Sequence, residues 1–162
     1  ESLGSGPDPY VDEVVDFYRG YLRLLRGDQK QARDWFERVR AQPGTKTDFE
    51  ALAEVYLFSL EGKPEAARRS LDTLQKQRMR LRVPDGEFTF KLAEAYGLLG
   101  DLDQALLMAE RSYGQGFACT PWFEASPLLA KVRETPRWRA LHQHLQERQQ
   151  LLEQRFPPSA FD

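Results

Sequence analysis

The sequence predicts an all-α fold made of repeated helical hairpins. The first observation is a frame, Gly-x-x-x-x-Ala, that occurs three times, at Gly27, Gly62 and Gly100. These glycines are 35 and then 38 residues apart, close to the length of about 34 residues found in a repeated helix-turn-helix unit. The second observation is that apolar residues on both sides of each glycine recur at steps of three and four, whereas the alternation typical of strands is absent.

Each frame predicts a turn between two helices. Glycine reaches the left-handed conformation that ends one helix, and a following polar residue can begin the next. The alanine five residues later, which is Ala32, Ala67 or Ala105, carries only a methyl group. It therefore lets the first helix of the hairpin approach the second closely.

Helix positions are predicted from two features. The first helix of each hairpin is the segment with an apolar stripe before the glycine, and the second begins at the polar residues after it. In the first helix this stripe runs from Val11 to Leu25. Breaks rich in proline or glycine, at 42–44, 83–86 and 114–116, separate the hairpins. In chain order, the six predicted helices are 11–26, 29–41, 46–61, 64–81, 87–99 and 102–113.

A fourth, irregular hairpin is predicted at the end of the chain. Its helices cover residues 122–134 and 137–155, and Thr135-Pro136 separates them. Thr135 can cap the last helix while Pro136 occupies its first turn. We expect this hairpin to cover the apolar face that the last repeat would otherwise expose.

Composition limits the function classes. The 162 residues are 41% hydrophobic and 30% charged, which is typical of one folded globular domain. Because 23 basic residues nearly balance 25 acidic ones, sequence-independent nucleic-acid binding is not expected. No apolar run approaches the about 20 residues that span a membrane. The single Cys119 excludes an internal disulfide and fits a reducing compartment, so we expect a cytoplasmic protein.

The third frame carries the fullest motif, with Leu92-Ala93-x-x-Tyr96 ahead of Gly100 and Ala105. In this it resembles the tetratricopeptide repeat, whose pattern is an aromatic, Leu-Gly, Tyr, Ala, an aromatic and Pro. Further matches are Gly20, Gly27, Ala32, Phe36 and Pro43 in the first frame, and mainly Gly62 and Ala67 in the second. Departures are Arg19 and Glu54 in place of leucine, and Arg23 in place of tyrosine.

The resemblance covers about residues 11–117 and implies an architecture. That architecture is a right-handed superhelix of about three tetratricopeptide-like hairpins, with the fourth hairpin as its cap. We expect a repeat domain over 11–155, between a flexible N-terminal segment, 1–10, and a C-terminal tail, 156–162. Residues 127–141 resemble the closing segment of such arrays in multidomain bacterial regulators, which implies a regulatory or scaffolding part of a larger bacterial protein.

The resemblance also implies a concave groove, lined by the first helix of each hairpin. The groove positions are Phe17, Tyr21, Leu24, Phe49, Leu52, Tyr56, Glu87, Phe90 and Glu94. We expect this groove to bind an apolar or amphipathic segment of a protein or peptide, with Glu87 and Glu94 favouring a basic flank. Phe17 and Tyr21 replace the residues with which family members clamp a terminal carboxylate, so no such clamp is expected.

Three alternatives compete with the groove. Aromatic stripes at helical spacing are often core. The tail, 156–161, could fold back into the hollow. The chain could instead form a homodimer through its last helix, by way of Leu145, Leu151 and Leu152.

The sequence offers no constellation for catalysis, so we expect neither an enzyme nor a metal or cofactor. His142 and His144 are two residues apart and point about 200° from each other on a helix. Cys119 is expected to be a small buried filler. The basic run, Lys76, Arg78, Arg80 and Arg82, is expected to lie in the last turns of a helix, where its dipole favours positive charge.

Overall fold

The computed structural model describes residues 9–42 and 46–157. Throughout these residues the regular structure is helical and no strand occurs, which confirms the predicted all-α class. The elements are α1 (Pro9–Leu25), α2 (Gln29–Ala41), α3 (Asp48–Leu60), α4 (Pro64–Arg78), α5 (Gly86–Leu98), α6 (Leu102–Gly114), α7 (Thr120–Ala125), a 3-10 turn (Pro127–Leu129), α8 (Ala130–Arg133) and α9 (Trp138–Arg155). The chain divides into two compact units, residues 1–80 and residues 81–162.

The predicted turns are confirmed at all three frames. Gly27, Gly62 and Gly100 have φ values of 79°, 68° and 77°, which is the left-handed region that glycine reaches without a steric penalty. The N–H of the residue after each glycine donates to the carbonyl oxygen five residues earlier, at 2.8 to 3.0 Å. These bonds satisfy carbonyl groups that the end of a helix leaves without a partner.

Side-chain caps fix where several helices begin. Asp28, Thr47 and Asp101 each accept a hydrogen bond from the backbone N–H three positions later, at 3.0 to 3.1 Å. Asp85 caps α5 in a similar way, by accepting from the Glu87 N–H at 2.9 Å. Such caps satisfy donors that the first turn leaves free, and each contributes about 1 kcal/mol.

Two predicted boundaries move. The first helix begins at Pro9, inside the segment that was expected to be flexible. The fourth helix ends at Arg78, three residues before the predicted end at 81. Met79 and Leu81 are exposed, so no apolar burial stabilises a further turn there.

The first unit, residues 1–80, has an aromatic core. In it α1 packs against α2, α2 against α3, and α3 against α4. Phe17, Phe36 and Tyr56 are fully buried, and their ring centroids lie 5.2 to 6.4 Å apart. Ala32 and Ala67 are also fully buried, which is consistent with the close helix approach predicted for the frame alanines.

The second unit, residues 81–162, combines the third hairpin with the irregular C-terminal elements. The prediction of one helix over 122–134 is wrong, because this stretch forms α7, a 3-10 turn and α8. Pro127 lacks the backbone N–H that a continuous helix would need at that position. Thr135 is not the cap of the last helix either, since Arg137 precedes α9 and the Thr135 hydroxyl donates to the Val132 carbonyl at 2.7 Å.

Candidate functional site

In the first unit, the predicted groove residues lie mostly in the core. Phe17 is the centre of the cluster, with its ring centroid 5.0 Å from that of Phe49 and 6.2 Å from that of Tyr21. The five buried members are Phe17, Tyr21, Leu52 and Tyr56, each with no exposed area, and Leu24, with 6% exposed. In this structure these side chains stabilise the helix packing and offer little surface to a partner.

Two half-buried aromatic residues of the first unit contact each other. Tyr18 on α1 and Phe49 on α3 have ring centroids 6.1 Å apart, and both rings contact the buried ring of Phe17. We call this pair the aromatic edge. Because each ring is anchored on one side and reachable on the other, a partner could pack against the edge without opening the core.

In the second unit, the chain itself covers one face of α5. Residues 90, 94 and 97 share this face at helical spacing, and all three meet residues 117–129, which we call the covering segment. The Phe90 ring centroid lies 4.6 Å from that of Phe123. The Ser126 hydroxyl donates to Glu94 Oε1 at 2.6 Å. A Cβ added to Gly97 would lie 2.3 Å from the Leu128 carbonyl oxygen.

The covering segment changes what the third hairpin can offer. Phe90 and Glu94 have no exposed area, so neither the predicted aromatic anchor nor one of the two acidic groups is accessible. Glu87 is half-buried, and its carboxylate accepts from Lys91 Nζ at 2.6 Å. The assignment of all nine positions to a partner-binding groove stays a prediction, and burial restricts direct contact to Phe49 and Glu87.

The C-terminal tail lies largely outside the described residues. Phe156 is 52% exposed, whereas the predicted tail residues 158–162 fall beyond the described range. Packing of Phe161 into a hollow therefore stays a prediction.

Sequence reasoning missed two open depressions, because each joins side chains from different elements. One, of about 380 Å³, lies between α3 and α4 and includes Lys46, Glu54 and Arg69. Its lysine and glutamate form an ion pair with each other. The other, of about 330 Å³, lies between α7 and α9 and is lined by Glu124, Glu153 and glutamine or threonine side chains.

The histidines have separate environments. His142 Nε2 lies 2.6 Å from Glu124 Oε1, whereas the His144 ring stacks on Tyr113 with a centroid distance of 6.2 Å. Within the described ranges, no group of three or more His, Cys, Asp or Glu side chains is arranged to hold a metal ion.

Two other residue-level predictions change. Cys119 is exposed, so the prediction of a buried filler is wrong. It lies just before α7, whose buried side chains are Thr120 and Phe123. Lys76 and Arg78 do occupy the last turn of α4, but Arg80 and Arg82 follow its end, so the helix dipole does not account for them.

None of the helices in the described part of the chain is both long enough and apolar enough to cross a membrane.

Two stretches of the chain match the family model of the tetratricopeptide repeat, residues 14–38 and residues 86–111. They fall within α1–α2 and α5–α6, the first and third hairpins. The matches confirm the resemblance of these two hairpins to the family and together cover less than half of the chain. No curated protein and no solved structure matches the chain.

Proposed function

We propose that this chain is a non-catalytic protein-interaction module that binds an apolar or amphipathic segment of another protein. The observation that carries the proposal is the match of two helical hairpins to the tetratricopeptide repeat, a repeat that generally mediates protein–protein interactions. The proposal includes the setting implied by the resemblance, which is a regulatory or scaffolding part of a larger bacterial protein in the cytoplasm.

The aromatic edge of the first unit is the proposed contact point. Tyr18 and Phe49 rest on the buried Phe17, so little side-chain entropy would be lost on binding. Aromatic side chains held in this way supply a large share of the binding energy at many interfaces. The buried groove residues would support this surface from beneath, and the covering segment leaves Phe90 and Glu94 out of it.

A peptide-library selection against the whole chain would test the proposal. We expect the selected peptides to share apolar anchors at helical spacing. Replacement of Phe49 by alanine should weaken their binding at least tenfold, about 1.4 kcal/mol. Phe58→Ala is the matched control, because Phe58 is half-buried on the same helix and nine residues away, about 180° around it.

Both variants should first be compared with the parent for helical content and thermal unfolding. Equal peptide binding by folded Phe49→Ala, Phe58→Ala and parent proteins would contradict the placement on the aromatic edge. A selection that enriches no peptide would contradict the broader function.

A second candidate is self-association through α9. Leu151 and Leu152 are neighbours on this helix and are 65% and 48% exposed, so they offer a small apolar surface. Leu145, which was expected to take part, is fully buried. Only Leu151 and Leu152 then remain for contact between the two copies, and two side chains form a small interface. The match to the repeat family therefore supports binding of a different protein more strongly than self-association.

A further inference from the structure

The first helix exposes a continuous apolar stripe. Val11, Val15 and Leu22 are 52%, 40% and 45% exposed, and Tyr18 between them is half-buried. Steps of four, three and four residues place these side chains along one side of α1. We call these four residues the α1 stripe. It is distinct from the face of the same helix that carries the buried Phe17 into the core.

We propose that the α1 stripe binds the α1 stripe of a second copy of this chain, with the two helices antiparallel. The spacing of the stripe is the same read from either end. A twofold axis between positions 16 and 17 places Val11 opposite Leu22 of the second copy, and Val15 opposite its Tyr18. Each large side chain thus meets a smaller one, as a self-complementary twofold interface requires.

The charges beside the stripe select the antiparallel direction. Asp12, Arg19 and Arg23 lie on one flank of the stripe. In the proposed pair, Asp12 of each copy lies, along the helix axis, between Arg19 and Arg23 of the other copy. The twofold symmetry repeats this contact, so opposite charges meet at two places. A parallel twofold pair would instead turn this flank of each helix toward the opposite flank of the other copy, so the attractions between Asp12 and the two arginines would be lost.

Arg19 is already engaged within its own copy, where its Nη1 lies 3.3 Å from Asp16 Oδ1. Its side chain also lies over the Trp35 ring, at 4.9 Å from the centroid. A guanidinium has five N–H donors, so these contacts leave donors for a second carboxylate and hold the side chain in place.

The size of the interface sets the expected affinity. A helix of 17 residues is about 25 Å long. Two such helices in contact bury less than about 1,200 Å² of surface in total, and interfaces of this size are typical of weak or transient complexes. We therefore expect a dissociation constant between about 10 μM and 1 mM.

Sedimentation velocity over a protein concentration series up to about 1 mM would measure this equilibrium. Leu22→Glu buries two like charges in the proposed seam, so it should raise the dimer dissociation constant at least about tenfold. Leu107→Glu is the matched control, since Leu107 is 40% exposed on α6, outside the stripe. Leu151→Glu tests whether the dimer forms through α9 instead. We expect Leu107→Glu and Leu151→Glu to have the same dimer dissociation constant as the parent protein.

Disulfide trapping tests the geometry separately. The exposed Cys119 is first replaced by serine, and Val11→Cys and Leu22→Cys are then made in that background. The antiparallel pair predicts rapid cross-linking when the two variants are mixed, and slow cross-linking of either alone. A parallel pair predicts the reverse.

A monomer across the whole series would overturn the proposal, as would a dimer that Leu151→Glu weakens and Leu22→Glu does not. Rapid cross-linking of each single-cysteine variant alone would overturn the antiparallel arrangement. The α1 stripe shares Tyr18 with the aromatic edge, but the variants that test the dimer leave Tyr18 and Phe49 unchanged. Peptide binding and dimerisation can therefore fail independently.

Discussion

Gly97 lies where the backbone of the covering segment packs closely against α5. A Cβ built there lies 2.3 Å from the Leu128 carbonyl oxygen, and backbone on the opposite side cannot rotate away as a flexible side chain can. Gly97→Ala should therefore lower the free energy of unfolding by about 1–2 kcal/mol, because overpacking outweighs the about 1 kcal/mol that alanine gains in a helix. Urea unfolding followed by circular dichroism measures the change.

Gly114 supplies the matched control for that substitution. It ends α6 and has no neighbouring atom within 4 Å of an added Cβ. We expect Gly114→Ala to leave stability equal or slightly higher. Equal stability of Gly97→Ala and Gly114→Ala would show that α5 and the covering segment are not in close contact in solution.

Glu61, next to the turn at Gly62, has a carboxyl group whose pKa is lowered. The cause is a hydrogen bond from Lys63 Nζ at 2.8 Å, aided by the charges of that lysine, Arg33 and Arg40. Because the folded-state pKa lies below that of the unfolded chain, the stabilisation is present above the unfolded pKa and is lost as pH falls through the folded pKa. In Lys63→Met, an NMR titration should show the Glu61 pKa rising toward the ordinary glutamate value, whereas an unchanged pKa would exclude this pairing.

At the level of elements, a buried hydrogen bond between Ser126 and Glu94 helps to join the covering segment to α5. Ser126 is 5% exposed, and its hydroxyl donates to the fully buried Glu94. Ser126→Ala should cost on the order of 1–3 kcal/mol, because a buried polar group loses a donor. Ser59→Ala is the control, since that hydroxyl bonds only the Val55 carbonyl within α3, at 2.8 Å, and a loss below about 0.5 kcal/mol is expected. Similar losses in both variants, compared by urea unfolding, would contradict a special role for Ser126.

The six helices of the three hairpins could be predicted from sequence because their boundaries are local. Asp28 and Asp101 cap the helix that follows, and Gly27 and Gly100 end the helix that precedes. The fourth hairpin could not be predicted as well. Its shape depends on Phe123 reaching Phe90, a contact between residues far apart in the chain that no short motif encodes.

The candidate site was predicted less well than the helices, for a related reason. The helical pattern groups Phe17 and Tyr21 on one face, but it does not say what covers that face. Phe17 is fully buried whereas its neighbour Tyr18 is half-buried, because α3 packs against one side of α1 and leaves the adjacent side open. The exposure of each aromatic side chain depends on which helices pack around it, so it could be determined only from the structure.

At the level of the whole molecule, the boundary between the two units falls in a stretch without helix. Residues 79–85 connect α4 to α5, and Arg80 and Arg82 within it are exposed. Exposed connections are preferred sites of proteolysis, so brief trypsin treatment should cut first after one of these arginines and release two fragments of similar mass. Mass spectrometry would identify the cut.

The double variant Arg80→Gln, Arg82→Gln should delay that first cut while leaving helical content unchanged. A first cut within α2 or α6 would mean that those helices open more readily than the connection does. This would contradict the division of the chain into units at this point.

The left-handed glycines have a consequence for how such a chain can diverge. All three turns have the same backbone conformation, and no atom lies within 4 Å of a Cβ built on any of these glycines. The space around each of these glycines therefore places no limit on the side chains that pack nearby. Substitutions elsewhere in the helices can leave the turn unchanged, which explains how the second hairpin has the same bend as the other two although the repeat model matches only those two.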